Sequence, residues 1–343
     1  MFRFHKRPLI PLLLAATIIA ALLCQVRGDV WEEKVRTVLY SLKKDSVPSY
    51  ATEMVDTNGV PYVYYAPQNN IAAGTQYNPT IVANYALNYY RNFLQSKDSS
   101  QLVHFNHCLE FLRSNTTAVG NAELFLFRWQ QPWYPHVGQP FTSGMTSGRA
   151  IEAYVDAFRL YHDSTFLHRA QKLLRGFFIP IQDSGFTYQS AEGWWYEEIA
   201  HANDTTPHIL DGHIFAILGV QQFWQQTRND SALMVVQKGL AALKYQLPHY
   251  DAGNGRIHYD IYNKEADKKY QKILAGQMQQ LWRSTGDSTF LTYFNKWNAP
   301  MQRPYLLRAF QEGNRSGILL FAFLIATVWI VLLVGFKLVL SRK

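Results

Sequence analysis

The residues best suited to chemistry lie in one short block, residues 193–213. Two tryptophans and a tyrosine stand there directly before the paired carboxylates Glu197 and Glu198. Flat aromatic faces bind the apolar faces of sugar rings, and adjacent carboxylates supply general acid/base chemistry or accept hydrogen bonds from hydroxyl groups. A loop whose aromatic side chains fill a core and whose glutamates are solvated has the same composition. The block alone favours neither interpretation.

The block also contains three histidines, His201, His208 and His213. They stand seven and five residues apart, and Pro207 interrupts the segment between the first two. This spacing fits no pair of metal ligands on one helix face. The sequence therefore predicts no metal site here.

The elements that position the block come from a repeated pattern. Asp-Ser pairs at 98–99, 163–164, 230–231 and 287–288 each begin a stretch with apolar residues at helical spacing. The pairs are 65, 67 and 57 residues apart, and another amphipathic helix precedes each. Asp-Ser is a frequent helix cap, so the alternative is that it recurs by chance. Four copies, each between two amphipathic helices, favour a true repeat. The pattern predicts a mainly α-helical protein, an incomplete α/α toroid of helical hairpins.

Three long loops follow the outer helices of this repeat and carry its unusual aromatic and acidic residues. They span residues 127–144, 185–198 and 249–270. Because they follow equivalent helices, we expect them to emerge on one face, where function is more common than on packed helices. The turn-rich stretch 46–75 has a short β-like run and is predicted to form a small hairpin or lid.

Both ends of the chain carry apolar runs beside basic residues. Residues 8–26 follow three cations and are typical of a signal anchor or a cleaved signal peptide. Residues 318–336 are 19 apolar or small residues without charge, enough to cross a hydrocarbon core of ~30 Å. If the first run is not cleaved, both tails are cytoplasmic. The chain between them is then extracytoplasmic, in a bacterial periplasm or cell surface or in a eukaryotic Golgi lumen.

Charge and cysteine content narrow the partners. The formal charge is +8, and removing the six cations of the two tails leaves +2. The basic balance therefore reflects membrane anchoring and predicts no nucleic-acid partner. Cys24 lies in the first apolar run, so Cys108 has no cysteine to pair with, and neither a disulfide scaffold nor a cysteine metal site follows.

These features divide the chain into four predicted segments. They are a signal anchor or signal peptide (1–28), a lead-in with a β-hairpin-like segment (29–75), the α/α toroid (76–312) and a transmembrane helix (317–340). The sequence leaves open whether the protein forms a homodimer.

An ordered set of short motifs runs through the toroid: Tyr77-Asn78-Pro79, Ser143-Gly144-Met145 with Gly148, Trp195-Tyr196-Glu197-Glu198 with Thr205-Thr206-Pro207, Leu210-Asp211-Gly212, Leu247-Pro248-His249-Tyr250-Asp251 with Gly253 and Gly255, and Tyr270 seven residues before Gln277. From about residue 77 to 300, the set resembles the C-terminal catalytic domain of D-glucuronyl C5-epimerases, which convert glucuronic to iduronic acid in heparan-type chains. Members of that family carry further β-rich domains upstream. The resemblance implies a uronic-acid-containing polysaccharide, glycosaminoglycan-like or bacterial, as substrate and no cofactor.

Epimerisation at C5 removes a proton alpha to a carboxylate and returns one to the opposite face of the ring. It needs two acid/base groups and donors that stabilise an enediolate. The resemblance implies that Glu198, Tyr259 and Tyr270 carry out the proton transfers. A tyrosine has a pKa near ~10, so a tyrosine base needs a cation or donors beside it. Four nearby residues remain open for this purpose: Arg256, His258, Lys268 and Lys269.

Several further residues are substrate-binding candidates. Asp211 matches a family asparagine that contacts substrate, and its alternative is a helix N-cap. The aromatic candidates are equally suited to filling a loop. The full set is Trp129, Tyr134, Arg149, Tyr188, Trp195, Tyr196, Asp211 and Gln277. The chain departs from the family pattern at Ile199 (often Tyr), Tyr262 (basic) and Arg149 (acidic).

The leading hypothesis is a membrane-anchored uronate C5-epimerase. A polysaccharide lyase shares the C5 proton abstraction but then expels the 4-linked sugar. A uronyl hydrolase needs two carboxylates, for which Glu198 with Asp211 or Asp260 is the candidate pairing. A membrane-tethered glycan-binding protein without activity is the non-enzymatic alternative.

Overall fold

A computed structural model describes residues 9–42 and 51–341 of the chain. The chain divides into two compact units. One comprises residues Ser49–Asn298, and the other combines Met1–Pro48 with Ala299–Lys343. The helices in the described ranges are α1 (Leu9–Leu42), α2 (Pro79–Ser96), α3 (Ser99–Ser114), α4 (Gly144–Tyr161), α5 (Thr165–Gly176), α6 (Leu210–Thr227), α7 (Asp230–Tyr250), α8 (Lys268–Thr285), α9 (Ser288–Gln302), α10 (Tyr305–Gln311) and α11 (Arg315–Leu340).

Consecutive helices of the larger unit form four hairpins, α2–α3, α4–α5, α6–α7 and α8–α9. Their first members pack side by side in the order α2, α4, α6, α8 and form the inner row. The outer helices α3, α5 and α7 pack against their own partners. This arrangement confirms the predicted α/α toroid of helical hairpins.

The joints between paired helices follow the repeated Asp-Ser motif. Asp98, Asp163 and Asp287 each accept a hydrogen bond at 2.9 Å from the backbone N–H two residues ahead. At the third joint the N-cap is Asn229, and Asp230 is the first helical residue. Asn and Asp cap helices equally well, so the third joint lies one residue earlier than predicted.

A glycine lets two inner helices approach closely. A Cβ added at Gly148 of α4 would lie 2.6 Å from the Cα of Ala216 on α6. Any side chain at this position would separate the helices that carry the loops of interest.

Short strands connect the hairpins. A three-stranded antiparallel sheet precedes α2, and a two-stranded hairpin follows each of α3, α5 and α7. The region predicted as a small hairpin thus forms strands from residue 51 onward, while residues 46–50 lie outside the described ranges. The strands are β1 (Ala51–Val55), β2 (Pro61–Tyr65), β3 (Gly74–Gln76), β4 (Thr116–Val119), β5 (Ala122–Phe125), β6 (Thr187–Ser190), β7 (Gly193–Tyr196), β8 (Asp251–Gly253) and β9 (Arg256–Ile257).

The smaller unit contains α1, α10 and α11. Leu9–Arg36 and Arg315–Val339 are long and apolar enough to cross a membrane, by length and composition. The helix α1 continues through residue 28 without a break. The predicted segment boundaries and the cleavage at residue 28 stay predictions.

Polar contacts hold α10 on α1 within this unit. The Tyr305 hydroxyl donates to the Glu32 carboxylate over 2.9 Å, and Arg308 donates to Asp29 over 2.8 Å. The Tyr305 ring fills the space that a Cβ at Gly28 would occupy. Both apolar helices therefore belong to one packed unit.

Candidate active site

Three loops meet at the N-terminal ends of the inner helices. The Tyr134 hydroxyl of the first loop donates to Asp260 Oδ2 of the third over 2.7 Å. The backbone N–H of Ile261 in the third loop donates to the Pro207 carbonyl of the second over 3.1 Å. The first loop (126–143) leads into α4, the second (197–209) into α6 and the third (258–267) into α8.

Glu198 lies at the start of the second loop and reaches the first turn of α6. A Cβ added at Gly212 would lie 2.5 Å from Glu198 Oε2, so this glycine makes room for the carboxylate. Oε2 is buried and has no hydrogen-bond partner among the described residues. Burial, and after it the carboxylates of Asp211 and Glu197, raise the pKa of Glu198 well above its ordinary value, while Lys264 opposes the shift. Glu198 is therefore held as a carboxylic acid more readily than an exposed glutamate.

Asp211 stands in the first turn of α6 and is only 3% exposed. The N-cap of this helix is Ile209, so Asp211 is not the N-cap residue, although its carboxylate accepts hydrogen bonds from backbone N–H groups of the first turn. Its Oδ1 is buried and accepts no hydrogen bond from the described residues. Burial raises the pKa of Asp211 to about 7, against the lowering effect of a hydrogen bond from the Tyr259 hydroxyl. Glu198 and Asp211 thus titrate as an interacting pair.

Tyr259 and Tyr270 lie next to this pair. Their ring centroids are 4.6 Å apart. Tyr259 is anchored by its carbonyl, which accepts the N–H of Leu210 at the start of α6 over 3.0 Å. Burial raises the pKa of both tyrosines, and the carboxylates of Asp211 and Glu198 raise it further. Both phenols are therefore proton donors in this site.

Two lysines approach the tyrosines from the exposed side. Lys264 Nζ lies 5.6 Å from the Tyr259 ring centroid, and Lys269 Nζ lies 5.6 Å from that of Tyr270. Sequence reasoning named Lys269 but missed Lys264. Arg256, another candidate cation, forms an exposed ion pair with Glu265 instead.

A second pair of tyrosines lies close enough to Glu198 for its charge to raise their pKa. The Tyr134 hydroxyl is held by Asp260, and burial and that carboxylate raise the pKa of Tyr134. Tyr65 of β2 accepts a hydrogen bond from Asn78 Nδ2 over 2.7 Å. Burial raises the pKa of Tyr65 to about 12, and Glu198 contributes to the shift. Sequence reasoning missed Tyr65, although the Tyr77-Asn78-Pro79 motif contains its partner.

The first turns of two inner helices supply this site. Asp211 lies in the first turn of α6 and Tyr270 in that of α8. The first turns of α2 and α4 contact each other, since the Thr80 and Thr146 hydroxyl oxygens lie 2.5 Å apart. Helix N-termini carry positive partial charge and favour anions. The arrangement suits a substrate that carries or develops negative charge.

Other predicted residues serve packing. Tyr196 is fully buried and donates its hydroxyl to an α7 carbonyl over 2.6 Å. The Trp195 ring stacks on His213 at a centroid distance of 3.9 Å. Trp129 stacks on Tyr65 at 4.7 Å and so supports one wall of the site. These contacts explain the aromatic content of the block without assigning these rings to substrate.

Arg149 does not join the carboxylates and tyrosines. Its guanidinium donates to Asn84 Oδ1 over 2.8 Å, pairs with Glu152 and lies 4.8 Å from the Phe215 ring centroid. These partners are on α2, α4 and α6, so the arginine links three inner helices.

Gln277 and Tyr188 lie in different places. Gln277 Nε2 donates to the Asp211 carbonyl over 3.0 Å, which connects α8 to the first turn of α6. Tyr188 of β6 is 43% exposed, and its ring centroid is 5.1 Å from that of His208. Gln277 therefore supports the site, whereas Tyr188 belongs to another surface.

The three histidines of the block have separate partners. His201 pairs with Asp204, and His208 pairs with Glu197. His213 lies between backbone groups of β7 and α7, and burial lowers its pKa to about 3. Within residues 9–42 and 51–341, no group of three or more His, Cys, Asp or Glu side chains could hold a metal ion.

The departures from the family pattern occupy distinct environments. Tyr262 is half exposed, and its hydroxyl lies 3.2 Å from His136 Nε2 and 3.4 Å from Thr205 Oγ1. It therefore joins all three loops at their outer edge. Ile199 is buried at 3% exposure.

Comparisons with known proteins identify similar sequences and structures. Residues 121–299 match the family described as D-glucuronyl C5-epimerase C-terminus. The D-glucuronyl C5-epimerase of Caenorhabditis elegans is 29% identical over 133 residues, which are 35% of this chain and 21% of that protein. An uncharacterised protein of Methanocaldococcus jannaschii is 27% identical over 175 residues, 50% of this chain and 56% of the relative.

The chain thus spans about half or less of these relatives. Among solved structures, cellobiose 2-epimerase from Bacillus thermoamylovorans has a TM-score of 0.49 at 9% identity, covering 88% of this chain and 86% of that one.

Proposed function

The chain belongs to the family described as D-glucuronyl C5-epimerase C-terminus, and on that premise we propose that its larger unit is a carbohydrate epimerase that inverts C5 of uronate residues in a polysaccharide. The observation that carries the proposal is the unpartnered, buried Oε2 of Glu198 beside Asp211. Facing these carboxylates are two protonated phenols, Tyr259 and Tyr270. A two-base inversion needs an acid/base group on each face of the ring, and carboxylates and phenols can both serve in that role.

The carboxylate pair is the proposed base. Like charges this close disfavour double ionisation, so near neutral pH the pair retains a proton and carries a single negative charge. The two carboxylates share this proton, and the base is the form in which the proton lies on Asp211, so that the ionised Glu198 takes the proton from C5. The C–H bonding electrons move into the substrate carboxylate, which becomes an enediolate.

The phenols are the proposed acids. Tyr259 or Tyr270 gives its proton to C5 from the opposite face, and the enediolate electrons return to form the new C–H bond. The resulting phenolate is reprotonated at the expense of the carboxylic acid, through solvent, so the enzyme returns to its starting protonation state. This order suits phenols whose pKa is raised, because such groups are donors at rest.

Negative charge develops on the substrate during this step. The N-termini of α6 and α8 lie beside the reacting groups and favour it. Lys264 and Lys269 at the exposed edge attract the uronate carboxylate as it approaches.

The decisive experiment is exchange in D2O. The full-length protein in detergent or nanodiscs is incubated with a heparosan-like glucuronate polymer, and C5 deuterium and iduronate are measured by NMR. We expect both in the wild type and neither in Glu198→Gln. Replacing both phenols, Tyr259→Phe with Tyr270→Phe, should leave exchange into glucuronate while removing inversion, because the carboxylate returns deuteron to the same face.

Glu265→Gln is the matched control, since it changes an exposed carboxylate of the third loop. No C5 deuterium with folded wild-type protein would overturn the proposal for this polymer.

A lyase uses the same proton abstraction and then loses the group at C4. The tyrosine donors beside the carboxylates suit that second step equally, by protonating the leaving oxygen. Ultraviolet absorbance from a new double bond during the same incubation identifies a lyase, whereas iduronate without absorbance identifies an epimerase.

We also propose that the two apolar helices anchor the protein in a membrane with the larger unit outside the cytoplasm. The apolar helices and their basic flanks support this. The test adds protease to sealed vesicles whose cytoplasmic face is outward, in which the larger unit should be protected. Digestion of the larger unit in these vesicles would contradict the orientation.

A further inference from the structure

The two adjacent glutamates serve different parts of the surface. The Glu198 carboxylate turns toward Gly212 and Asp211. The Glu197 carboxylate accepts the backbone N–H of His208 over 3.1 Å and also contacts His208 Nδ1. The second contact places His208 beside a depression that none of the proposed acid/base residues lines.

This depression, which we call the tyrosine depression, lies between the β6–β7 hairpin and α7. It is shallow and open to solvent, and its enclosed volume is only about 20 Å³. Four aromatic side chains and three polar ones bound it: Tyr188, Trp195, His208 and Tyr245, with Ser190, Glu192 and Gln246. Ligand sites are commonly apolar and aromatic with a few placed polar groups. This volume is far too small to enclose a sugar, so a single ring would stack on the exposed aromatic rim and not enter the depression.

The aromatic side chains are exposed where a ligand would stack. Tyr245 is 63% exposed and Tyr188 is 43% exposed. Trp195 lies behind them at 2% exposure, and its Nε1 has no hydrogen-bond partner among the described residues. Two exposed tyrosines around a buried tryptophan offer flat apolar faces and polar edges together, as sugar rings require.

His208 supplies a directed polar group. Its Nδ1 contacts the buried Glu197, so its Nε2 is the ring nitrogen left for a ligand hydroxyl. The residue has a positive φ of 44°. A histidine in this region needs support from its surroundings. Here Tyr250 donates its hydroxyl to the His208 carbonyl over 2.5 Å, which fixes the backbone.

The walls of the depression are held in place before a ligand binds. Gly193 packs its backbone on α7, where an added Cβ would lie 2.6 Å from the N of Ala242. The hairpin and the helix are therefore in direct backbone contact, and the distance between Tyr188 and Tyr245 is set by the fold.

Charge identifies the occupant. Glu192 is the one acidic side chain among the described lining residues, and no lysine or arginine is among them. The proposed catalytic site, in contrast, has Lys264 and Lys269 at its edge. A uronate carboxylate would face the Glu192 carboxylate without a lysine or arginine to offset it, so the depression suits an uncharged ring.

We propose that the tyrosine depression is a second carbohydrate-binding site, which holds one uncharged pyranose residue of the polymer while a uronate residue occupies the acid/base site. Glu197 is a positioning residue that orients His208. The inference rests on the proposed function only for the identity of the polymer.

The test uses two probes, a heparosan-like polymer and the same polymer with its carboxylates reduced to alcohols. The reduced polymer cannot be epimerised, so its binding does not depend on catalysis. We expect the wild type to bind both in calorimetry, and Tyr188→Ala with Tyr245→Ala to weaken the reduced polymer about tenfold. The matched control is Tyr161→Ala, another exposed tyrosine, on α4.

The outcomes separate this inference from the proposed function. Loss of binding in the double variant without any C5 exchange in the wild type would retain the site and refute the epimerase. Normal C5 exchange with unchanged binding of the reduced polymer in the double variant would retain the epimerase and refute the site. Failure of the wild type to bind the reduced polymer also refutes it.

Discussion

Glu197 and Glu198 are neighbours in the chain, yet the fold surrounds their carboxylates in opposite ways. Glu197 is fully buried and accepts hydrogen bonds from His208. Glu198 has a buried oxygen without a partner, next to a second carboxylate. Hydrogen-bond donors offset the cost of burying a carboxylate, whereas a buried carboxylate without donors costs stability and has a shifted pKa. The unsatisfied member of the pair is therefore the one available to a substrate.

The largest expected effect comes from removing the unsatisfied carboxylate. Glu198→Gln keeps the shape of the side chain but cannot take a proton from C5. We expect kcat for C5 exchange to fall by about 10³-fold, the usual size of a lost acid/base group. The melting temperature should stay the same or rise, because an amide cannot ionise and so avoids the cost of a buried charge without donors.

A melting temperature that falls together with activity would mean that Glu198 is structural, and the contrast with Glu197 would then disappear.

Removing the Glu197 carboxylate, which has hydrogen-bond donors, should instead lower the stability of the fold. Glu197→Ala leaves the backbone N–H and the Nδ1 of His208 without their acceptor in a buried place. We expect a loss of about 3 kcal/mol in the free energy of unfolding, since buried polar groups left unpaired are costly. Chemical denaturation measures it. Glu110→Ala, which breaks an exposed ion pair with Arg113, is the control and should change little.

Asp211 makes the contrast depend on pH. Burial raises its folded pKa to about 7 from an ordinary value of 3.8. Between these values the native state binds more protons than the unfolded state, so stability falls as pH rises through this window. Asp211→Asn removes that loss. It should stabilise the protein by about 2 kcal/mol at a pH near 8 and much less at a pH near 4.

Melting curves at both ends of the pH window check this. Equal stabilisation at both pH values would show that burial does not raise the pKa of Asp211. The electrostatic contrast between the surroundings of Glu198 and Glu197 would then lose this support.

The same contrast shows what the sequence could predict. The helical hairpins follow from caps and apolar spacing, which are local properties, so Asp98, Asp163 and Asp287 identify three joints directly. The error of one residue at Asn229 arises because either side chain can cap the helix. Local patterns also placed Glu198 on a loop at the mouth of the toroid.

The rest of the site depends on contacts between distant segments. Tyr65 lies on a strand more than 130 residues before Glu198, and no local pattern connects them. Arg149 was a candidate for binding substrate, but its side chain contacts Asn84 and Glu152. These contacts depend on how the inner helices pack, which local sequence does not determine. Lys264 was missed for the same reason, because its distance to Tyr259 depends on how the third loop folds.

The smallest expected effect concerns Lys264, a cation beside the acid/base site, whereas no lysine or arginine is among the described residues that line the tyrosine depression. Its ammonium group is exposed, 5.6 Å from the Tyr259 ring, and it lowers the pKa of Glu198. Lys264→Ala should raise KM for an anionic polymer a few-fold, since an exposed charge contributes about 1 kcal/mol or less. The difference from wild type should shrink as salt is added, and binding of the carboxyl-reduced polymer should not change. Lys97→Ala, beyond the C-terminal end of α2, is the control. An equal loss for the charged and the reduced polymer would show that Lys264 acts through structure, and the electrostatic difference between the two sites would then have to come from the helix N-termini alone.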